Sequence, residues 1–387
     1  MAKVKAVRPA RRVSRPWTAA VAIFLVCLAA YLANGRTVPF AKGGDTIPAR
    51  LLPFSMLAFG TLTLDPFRDD LESAGGYRWY VRERRGHLVS FYPIGPSLLA
   101  LPVYVPAYLG LAATGRGGHE ALFEASEELE KVAASLLAAL AVALCYLTAR
   151  RRLPAAAAAW AALGLGLGTS MWATASQMLW QHGPVSLALA AGIFFLMAPG
   201  ETRRDAALAG FALALAAFSR PTAGIFWLAG LASLLAGSQP WPVRWRRAAG
   251  FAAAGAPLLA AVAAYNLFYY SSLLGGYSFA MKHFQPGGFA VRAAGLLASP
   301  NRGLLIFTPV AIMGIAGIVR ALRRPRRDPL LSALGLAALA YFLAIASYQD
   351  WTAGWSFGPR YLVDILPILF LGALGELPRL SRPGRAL

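Results

Sequence analysis

Apolar residues along this chain come in long unbroken runs rather than in alternating or striped patterns. Runs near the ~20 residues that cross a bilayer cover about 17–34, 131–149, 155–173, 183–199, 206–219, 222–238, 249–269, 303–321, 330–347 and 361–376. Runs of this length that are apolar all round predict helices surrounded by lipid or by each other. A further stretch, Tyr92 to Ala113, is as apolar but carries Pro93, Pro96, Pro102 and Pro106. Each proline removes a backbone donor, a defect that a helix lying in the interface tolerates better than one exposed to lipid tails. Counting this stretch as a crossing would also set Arg150 to Arg152 on the opposite side from every other arginine cluster. It is therefore read as interfacial, and the pattern predicts ten spans.

The expected fold is an all-α polytopic membrane protein, with residues 1–387 forming a single membrane domain. Residues 35–130 form a structured loop with interfacial helices between the first and second transmembrane helices. Within it, Asp45-Thr46-Ile47-Pro48 reads as a helix start, followed by Leu51, Leu52, Phe54, Met56 and Leu57 at spacings that suit an interfacial helix. From Tyr77 to Ser90 the mixture of aromatic, apolar and charged positions predicts a short hairpin.

Composition agrees with the pattern. Hydrophobic residues make up 58% of the 387 and charged residues 14%, with a mean hydropathy of +0.54, more apolar surface than a water-facing globule can bury. Cys27 and Cys145 both lie inside apolar runs and form no disulfide framework. The net charge of +20 would raise nucleic acid as a partner, but placement of the charges decides against it. Basic residues cluster in short connectors: Lys3 to Arg15, Arg150 to Arg152, Arg203 and Arg204, Arg244 to Arg247, Arg320 to Arg327, and Arg379 to Arg385. By the positive-inside rule these connectors and both termini face the cytoplasm. Most acidic residues, including Asp45, Asp65, Asp69, Asp70, Glu72, Glu83 and the run Glu120 to Glu130, then fall on the outer side. The bias to arginine points softly to a bacterial genome rich in GC, and so to a bacterial cytoplasmic membrane. The first span also resembles a secretory signal in outline, but the residues after it read as continuous with a retained helix.

Soluble-site signatures are absent: no nucleotide-binding glycine loop, HExxH, paired CxxC or EF-hand loop. Gly354-Trp355-Ser356-Phe357-Gly358 fits GxSxG, yet it lies between two spans rather than on a strand-turn-helix elbow, and reads as coincidence. No Asp-x-Asp pair is present of the kind that holds a metal and a sugar nucleotide, so a sugar donor would be lipid-linked. The informative residues are polar groups beside the outer ends of spans, because a charge at the centre of a membrane helix costs ~2.5–3.5 kcal/mol and is seldom kept without a use. They are Asp45; Gln181 and His182; Arg220; Lys282 and His283; and Asp350 with Arg360 and Tyr361. By the topology above all face one compartment.

Five segments taken in order resemble the GT-C superfamily of membrane glycosyltransferases, above all its bacterial branch of protein O-mannosyltransferases and lipid A aminoarabinose transferases. They are Gly43-Gly44-Asp45-Thr46, Tyr92-Pro93-Ile94-Gly95-Pro96, Ser219-Arg220-Pro221-Thr222, Ser299-Pro300-Asn301-Arg302-Gly303-Leu304-Leu305, and Trp355-Ser356-Phe357-Gly358-Pro359-Arg360-Tyr361-Leu362. The resemblance implies a hexosyltransferase type of enzyme that transfers a sugar from a polyprenyl-phosphate donor to an envelope acceptor (lipid, glycan or protein) with inversion, at the outer face of the bilayer. It implies Asp45 as the catalytic base. A positioned carboxylate can take the proton of an attacking hydroxyl. The leaving lipid phosphate needs cations arranged beforehand, and Arg360, Arg220 and Lys282 are the candidates. His182, Gln181, Tyr92, Trp355, Tyr361 and Asp350 are candidate substrate contacts, with Trp351 and Trp355 able to stack on a sugar ring. Many relatives carry a second acidic residue beside the first; here Thr46 follows, so use of a divalent cation stays open and no metal ligands are assigned.

Plainer roles compete at each position. Asp45 would cap the helix that starts near Ile47. His182 would bond a neighbouring helix, Arg220 would snorkel to headgroups, and Arg360 would anchor the interface beside Tyr361. Asp65, Asp69, Asp70 and Glu72 read as a solvated face. Two other functions remain: a membrane transporter or lipid flippase, which would keep charges at the midplane and often shows inverted repeats, and a non-catalytic binder of polyprenyl lipid.

Overall fold

The computed structural model describes residues 16–34, 44–72, 79–285, 287–354 and 356–380. Gly43, Trp355 and the basic clusters Lys3 to Arg15 and Arg382 to Arg385 lie outside the described residues. The elements are α1 Pro16–Asn34, α2 Ile47–Phe59, α3 Arg68–Glu72, β1 Val81–Arg84, β2 His87–Ser90, α4 Gly95–Ala113, α5 His119–Ala149, α6 Ala155–Leu167, α7 His182–Leu196 and α8 Arg203–Ser219. They continue with α9 Gly224–Leu235, α10 Trp241–Tyr270, α11 Phe289–Ala298, α12 Leu304–Phe307, α13 Ala311–Arg323, α14 Pro329–Ser347, α15 Leu366–Leu374 and α16 Leu377–Leu380. The chain is an all-α membrane protein in which each of the ten apolar runs carries helix. By length and composition five helices among the described residues can cross a membrane: α1, α4, α5, α10 and α14. The hairpin expected before Ser90 is present, with Val81 opposite Ser90 and Arg84 opposite His87.

Two cores divide the molecule. The larger gathers Tyr31, Val142, Leu189, Leu213, Phe226, Tyr341 and Phe370 from α1, α5, α7 to α9, α14 and α15. The second gathers Leu51, Leu52 and Phe54 of α2, Phe67, Leu88 of the hairpin, Tyr104 of α4 and Leu122 of α5. Helix α5, about 46 Å long at 1.5 Å per residue, belongs to both and acts as the strut between them. Arg50 pins α2 to it through Glu127 at 3.0 Å.

Helix α4 differs from expectation in two respects: it runs unbroken through Pro102 and Pro106, and, although read as interfacial, it is long and apolar enough to cross a membrane. The two prolines are four residues apart, so the backbone acceptors they leave unpaired, those of Leu98 and Pro102, fall on one side of the helix. Its packing keeps it with the second core. Gly95 abuts the backbone of Phe218 and Ser219, the Tyr104 hydroxyl reaches the Ser126 carbonyl, and the chain returns through His119, which bonds Asp70 at 2.8 Å.

The acidic residues after α2 are not a solvated face throughout. Asp65 accepts from the Leu88 amide at 2.7 Å, the Thr63 hydroxyl at 2.8 Å and Arg68 at 3.1 Å, and lies 2.6 Å from His87 Nδ1. It therefore staples the hairpin to the second core.

Candidate functional site

A cavity of about 740 Å³ is lined by all of the described candidates Asp45, Tyr92, Gln181, His182, Arg220, Lys282, Asp350, Arg360 and Tyr361. Trp355 lies outside the described residues, and Trp351 packs instead against Gly295 of α11.

Asp45 sits in the turn Gly44–Thr46 that precedes α2. It is not a helix cap: Thr46 occupies that position and makes no side-chain capping bond, and Pro48, in the first turn of the helix that starts at Ile47, needs no donor there. Asp45 Oδ1 accepts from Trp79 Nε1 at 2.9 Å and from the Tyr92 hydroxyl at 2.8 Å, while Oδ2 accepts from Arg360 Nη2 at 2.9 Å. Gly44 permits this arrangement, since a Cβ there would stand 2.7 Å from the Trp79 ring and 2.9 Å from that of Tyr80. Burial alone would raise the Asp45 carboxyl, but the charge of Arg360 and the bonds from Trp79, Tyr92 and Arg360 hold it below its ordinary value.

Arg360 opens the 3-10 turn Arg360–Ile365 ahead of α15, 315 residues from Asp45. Its guanidinium carbon lies 5.1 Å from the centre of the Trp180 ring and 5.6 Å from that of Tyr361. Only Nη2 bonds an acceptor among the described residues; Nε is buried without one.

Arg220 is set by the proline after it. Pro221 disfavours helix at the preceding residue, so α8 stops at Ser219 and Arg220 is extended, with φ −157°. Its Nε donates to Thr222 Oγ1 at 2.9 Å, and Nη1 lies 3.2 Å from Asp364 Oδ2 and 2.9 Å from His182 Nδ1. The snorkelling alternative fails, because Arg220 is only 3% exposed. His182 opens α7 with Pro184 two residues on, and its Nδ1 lies 2.8 Å from Asp364 Oδ1. Gln181 accepts from the Tyr277 hydroxyl at 2.5 Å. The loop that carries Trp180, Gln181 and His182 is held by α5, where Glu130 accepts the Leu179 amide at 3.0 Å and Lys131 donates to Gln177 at 2.9 Å.

Lys282 is exposed in the turn Gly275–His283 and has no ion-pair or hydrogen-bond partner among the described residues. Asp350, at the rim, lies 3.4 Å from His283. Arg302 donates to the carbonyls of Gly354, at 2.7 Å, and of Ser356, and so clamps the last loop. Ser356 bonds the Ala353 carbonyl, and no nucleophile elbow forms. No group of three or more His, Cys, Asp or Glu side chains among the described residues could hold a metal ion.

Sequence reasoning missed Asp364, Tyr341, Trp79, Trp180 and Tyr277. Asp364 had a signal: it is the lone acidic residue inside the last long apolar run but for its very end, and an ionisable group there marks a site. The aromatic residues had none, because tyrosine and tryptophan near span ends belong equally to the interfacial belt.

Solved structures with this arrangement of helices are membrane transferases. The apo oligosaccharyltransferase of Archaeoglobus fulgidus superposes with a TM-score of 0.58 at 14% identity, over 96% of this chain and 52% of its own. The chain shares the fold of this transferase. The archaeal oligosaccharyltransferase AglB from the same organism, in complex with an inhibitory peptide and a dolichol-phosphate, gives 0.56 at 15% identity over 96% and 52%. ArnT from Cupriavidus metallidurans bound to undecaprenyl phosphate gives 0.53 at 19% identity over 95% and 61%. The chain thus spans half to three fifths of the length of these proteins. No family model matches the sequence, and no curated protein matches it.

Proposed function

We propose that this protein is an inverting glycosyltransferase that moves a sugar from a polyprenyl-phosphate donor to a hydroxyl of an envelope acceptor. On this reading it works at the outer face of a bacterial cytoplasmic membrane, with both termini inside and the helices of residues 35–130 forming the outer wall of the site. The observation that carries the reading is the Asp45–Arg360 pair in the wall of the cavity, a proton acceptor and a phosphate-binding cation brought together from opposite ends of the chain. The cations Arg82, Arg220, Lys282 and Arg360 outnumber the anions Asp45 and Asp350 among the lining residues, which suits an anionic ligand. The rings of Trp79, Trp180, Tyr92 and Tyr277 offer faces for a sugar. The lipid phosphates in the AglB and ArnT structures support a donor of the same class.

In the proposed reaction the acceptor oxygen attacks the anomeric carbon as Asp45 takes its proton. The bond from that carbon to the phosphate oxygen breaks, and its electron pair leaves on the lipid phosphate, where Arg360, Arg220 and Lys282 stabilise the added negative charge. A carboxylate tied to an arginine is a weak base. A donor phosphate that competes for Arg360 loosens that tie and restores basicity to Asp45 when the donor is in place.

The test incubates the purified full chain with labelled polyprenyl-phosphate sugars and membrane extract, comparing wild type with Asp45→Asn and Arg360→Ala. Product from wild type and its loss from both variants supports the reading. Equal product from all three refutes the site, and no product from any donor favours the transporter alternative.

A further inference from the structure

We propose that Asp364 is a positioning residue: from behind the cavity wall it fixes the guanidinium of Arg220 and leaves one face of that arginine free for a donor-phosphate oxygen. The inference rests on the transferase reading above. Asp364 is fully buried and does not line the cavity, so it touches no substrate itself. A lone carboxylate in such a place is costly unless every oxygen is satisfied, and here both are. Oδ1 meets His182 Nδ1 at 2.8 Å; Oδ2 accepts the Tyr341 hydroxyl at 2.7 Å and faces Arg220 Nη1 at 3.2 Å.

The arrangement commits Arg220 on one side only. Nε is held by Thr222 and Nη1 by Asp364 Oδ2 and, at 3.3 Å, by His182 Nε2, the ring nitrogen left to accept once Nδ1 donates to Asp364, while Nη2 has no acceptor among the described residues although the side chain is 4% exposed. The rings of Tyr361 and Tyr341, centred 5.1 and 5.8 Å from the guanidinium carbon, restrict it further. An oriented donor in the wall of a cavity already rich in cations is the geometry a phosphate oxygen requires, because preorganised donors cost no rearrangement on binding. Arg220 takes its orientation from three elements: the α8 end carries it, α7 supplies His182, and the turn before α15 supplies Asp364.

The experiment measures binding of undecaprenyl phosphate to the full chain in nanodiscs. It compares wild type, Asp364→Asn, Arg220→Gln and the double variant, with thermal midpoints recorded for each. Tyr341→Phe, which removes a single hydroxyl at nearly constant volume, is included in case Asp364→Asn does not fold. Asp364→Asn is expected to bind about tenfold or more weakly, the size of one charge-assisted bond. The double variant should bind no worse than Arg220→Gln alone, because the two residues act through one contact. Tyr341→Phe should show a smaller loss in the same direction with a modestly lowered midpoint, since Arg220 still faces Asp364 Oδ2. Binding unchanged in Asp364→Asn, losses that multiply in the double variant, or unchanged binding in Tyr341→Phe where Asp364→Asn does not fold would overturn the inference and leave the transferase reading standing. A folded wild type that binds no lipid phosphate would sink that reading, and this inference with it.

Discussion

Replacing Arg360 with glutamine removes the cation from the Asp45 pair and leaves a shorter, neutral side chain that still carries an amide donor. At 2.9 Å and an effective dielectric of about 20, the gross attraction is about 6 kcal/mol, most of which desolvation cancels. The side chains of Arg360 and Asp45 are 12% and 24% exposed, and a charge-assisted bond in such a site contributes about 2 kcal/mol net. That same guanidinium, transferred to a donor phosphate, is worth a similar amount, so Arg360→Gln should raise donor KM by roughly thirtyfold.

The variant also carries a pH signature that a general loss of structure would not produce. In the wild type Asp45 lies below its ordinary 3.8, because Arg360, Trp79 and Tyr92 outweigh burial. Its ionised form is therefore present throughout the neutral range, and the acid limb of kcat/KM falls at pH below about 4. Without Arg360, burial has less to oppose it, and the limb moves to higher pH. Stability follows the same linkage. The depressed folded-state value means the pair stabilises the fold above the unfolded value of about 3.8 and loses that contribution as pH falls through the folded value. Acid unfolding of Arg360→Gln should therefore be less pH-dependent below about pH 4 than that of wild type. A pH–rate profile with a single labelled donor, read beside acid melting curves, measures both effects. An acid limb that stays in place or moves down, with donor KM unchanged, would refute the assignment of Asp45 and Arg360 to one reacting pair.

Trp79→Phe and Tyr92→Phe each delete one donor to Asp45 Oδ1, at 2.9 and 2.8 Å. Each should lower kcat about five- to tenfold, on the order of 1 kcal/mol, with little change in thermal midpoint; wild-type kcat in both would show that these bonds do not orient the base. Gly95→Val inserts a side chain where a Cβ already stands 2.7 Å from backbone atoms of Phe218 and Ser219. The overpacking should cost about 1–3 kcal/mol, lowering the thermal midpoint and weakening donor binding together because Arg220 is the next residue; an unchanged midpoint would refute the close contact.

The helices were legible in the sequence because long unbroken apolar runs mark them without any periodicity, and the hairpin because its short segment mixes aromatic, apolar and charged positions. The meeting of Asp45 with Arg360 was legible only through resemblance to a family, since no local rule links residues 315 apart. Other features depend on packing that no spacing encodes. A capping role for Asp45 competed with the catalytic one because the bonds from Trp79 and Tyr92 to its Oδ1 come from the segment that frames the hairpin, which no local pattern connects to it. Asp65 looked solvated because its partners Leu88 and His87 come from the far strand. The prolines of α4 looked like helix breaks, but two defects on one side of a helix leave its other side intact.

The two acid–arginine pairs of the site differ in a way that assigns them different work on the transferase reading. Asp364 and Arg220 are sealed, with side chains 0% and 4% exposed, and the carboxylate is also bonded by His182 and Tyr341. Separating them would strand a charge in a dry interior, at about 3–5 kcal/mol, so a ligand adds to this pair rather than dividing it. Asp45 and Arg360 are more open, and Arg360 keeps nitrogen donors uncommitted among the described residues. A phosphate arriving there can take the guanidinium for itself, and the carboxylate it displaces is the group that must accept a proton. The sealed pair thus supplies a fixed cation and the open pair an exchangeable one. That division orders the reaction, with donor binding coming before the base becomes competent, and it keeps Asp45 a poor base toward water while the cavity holds no donor.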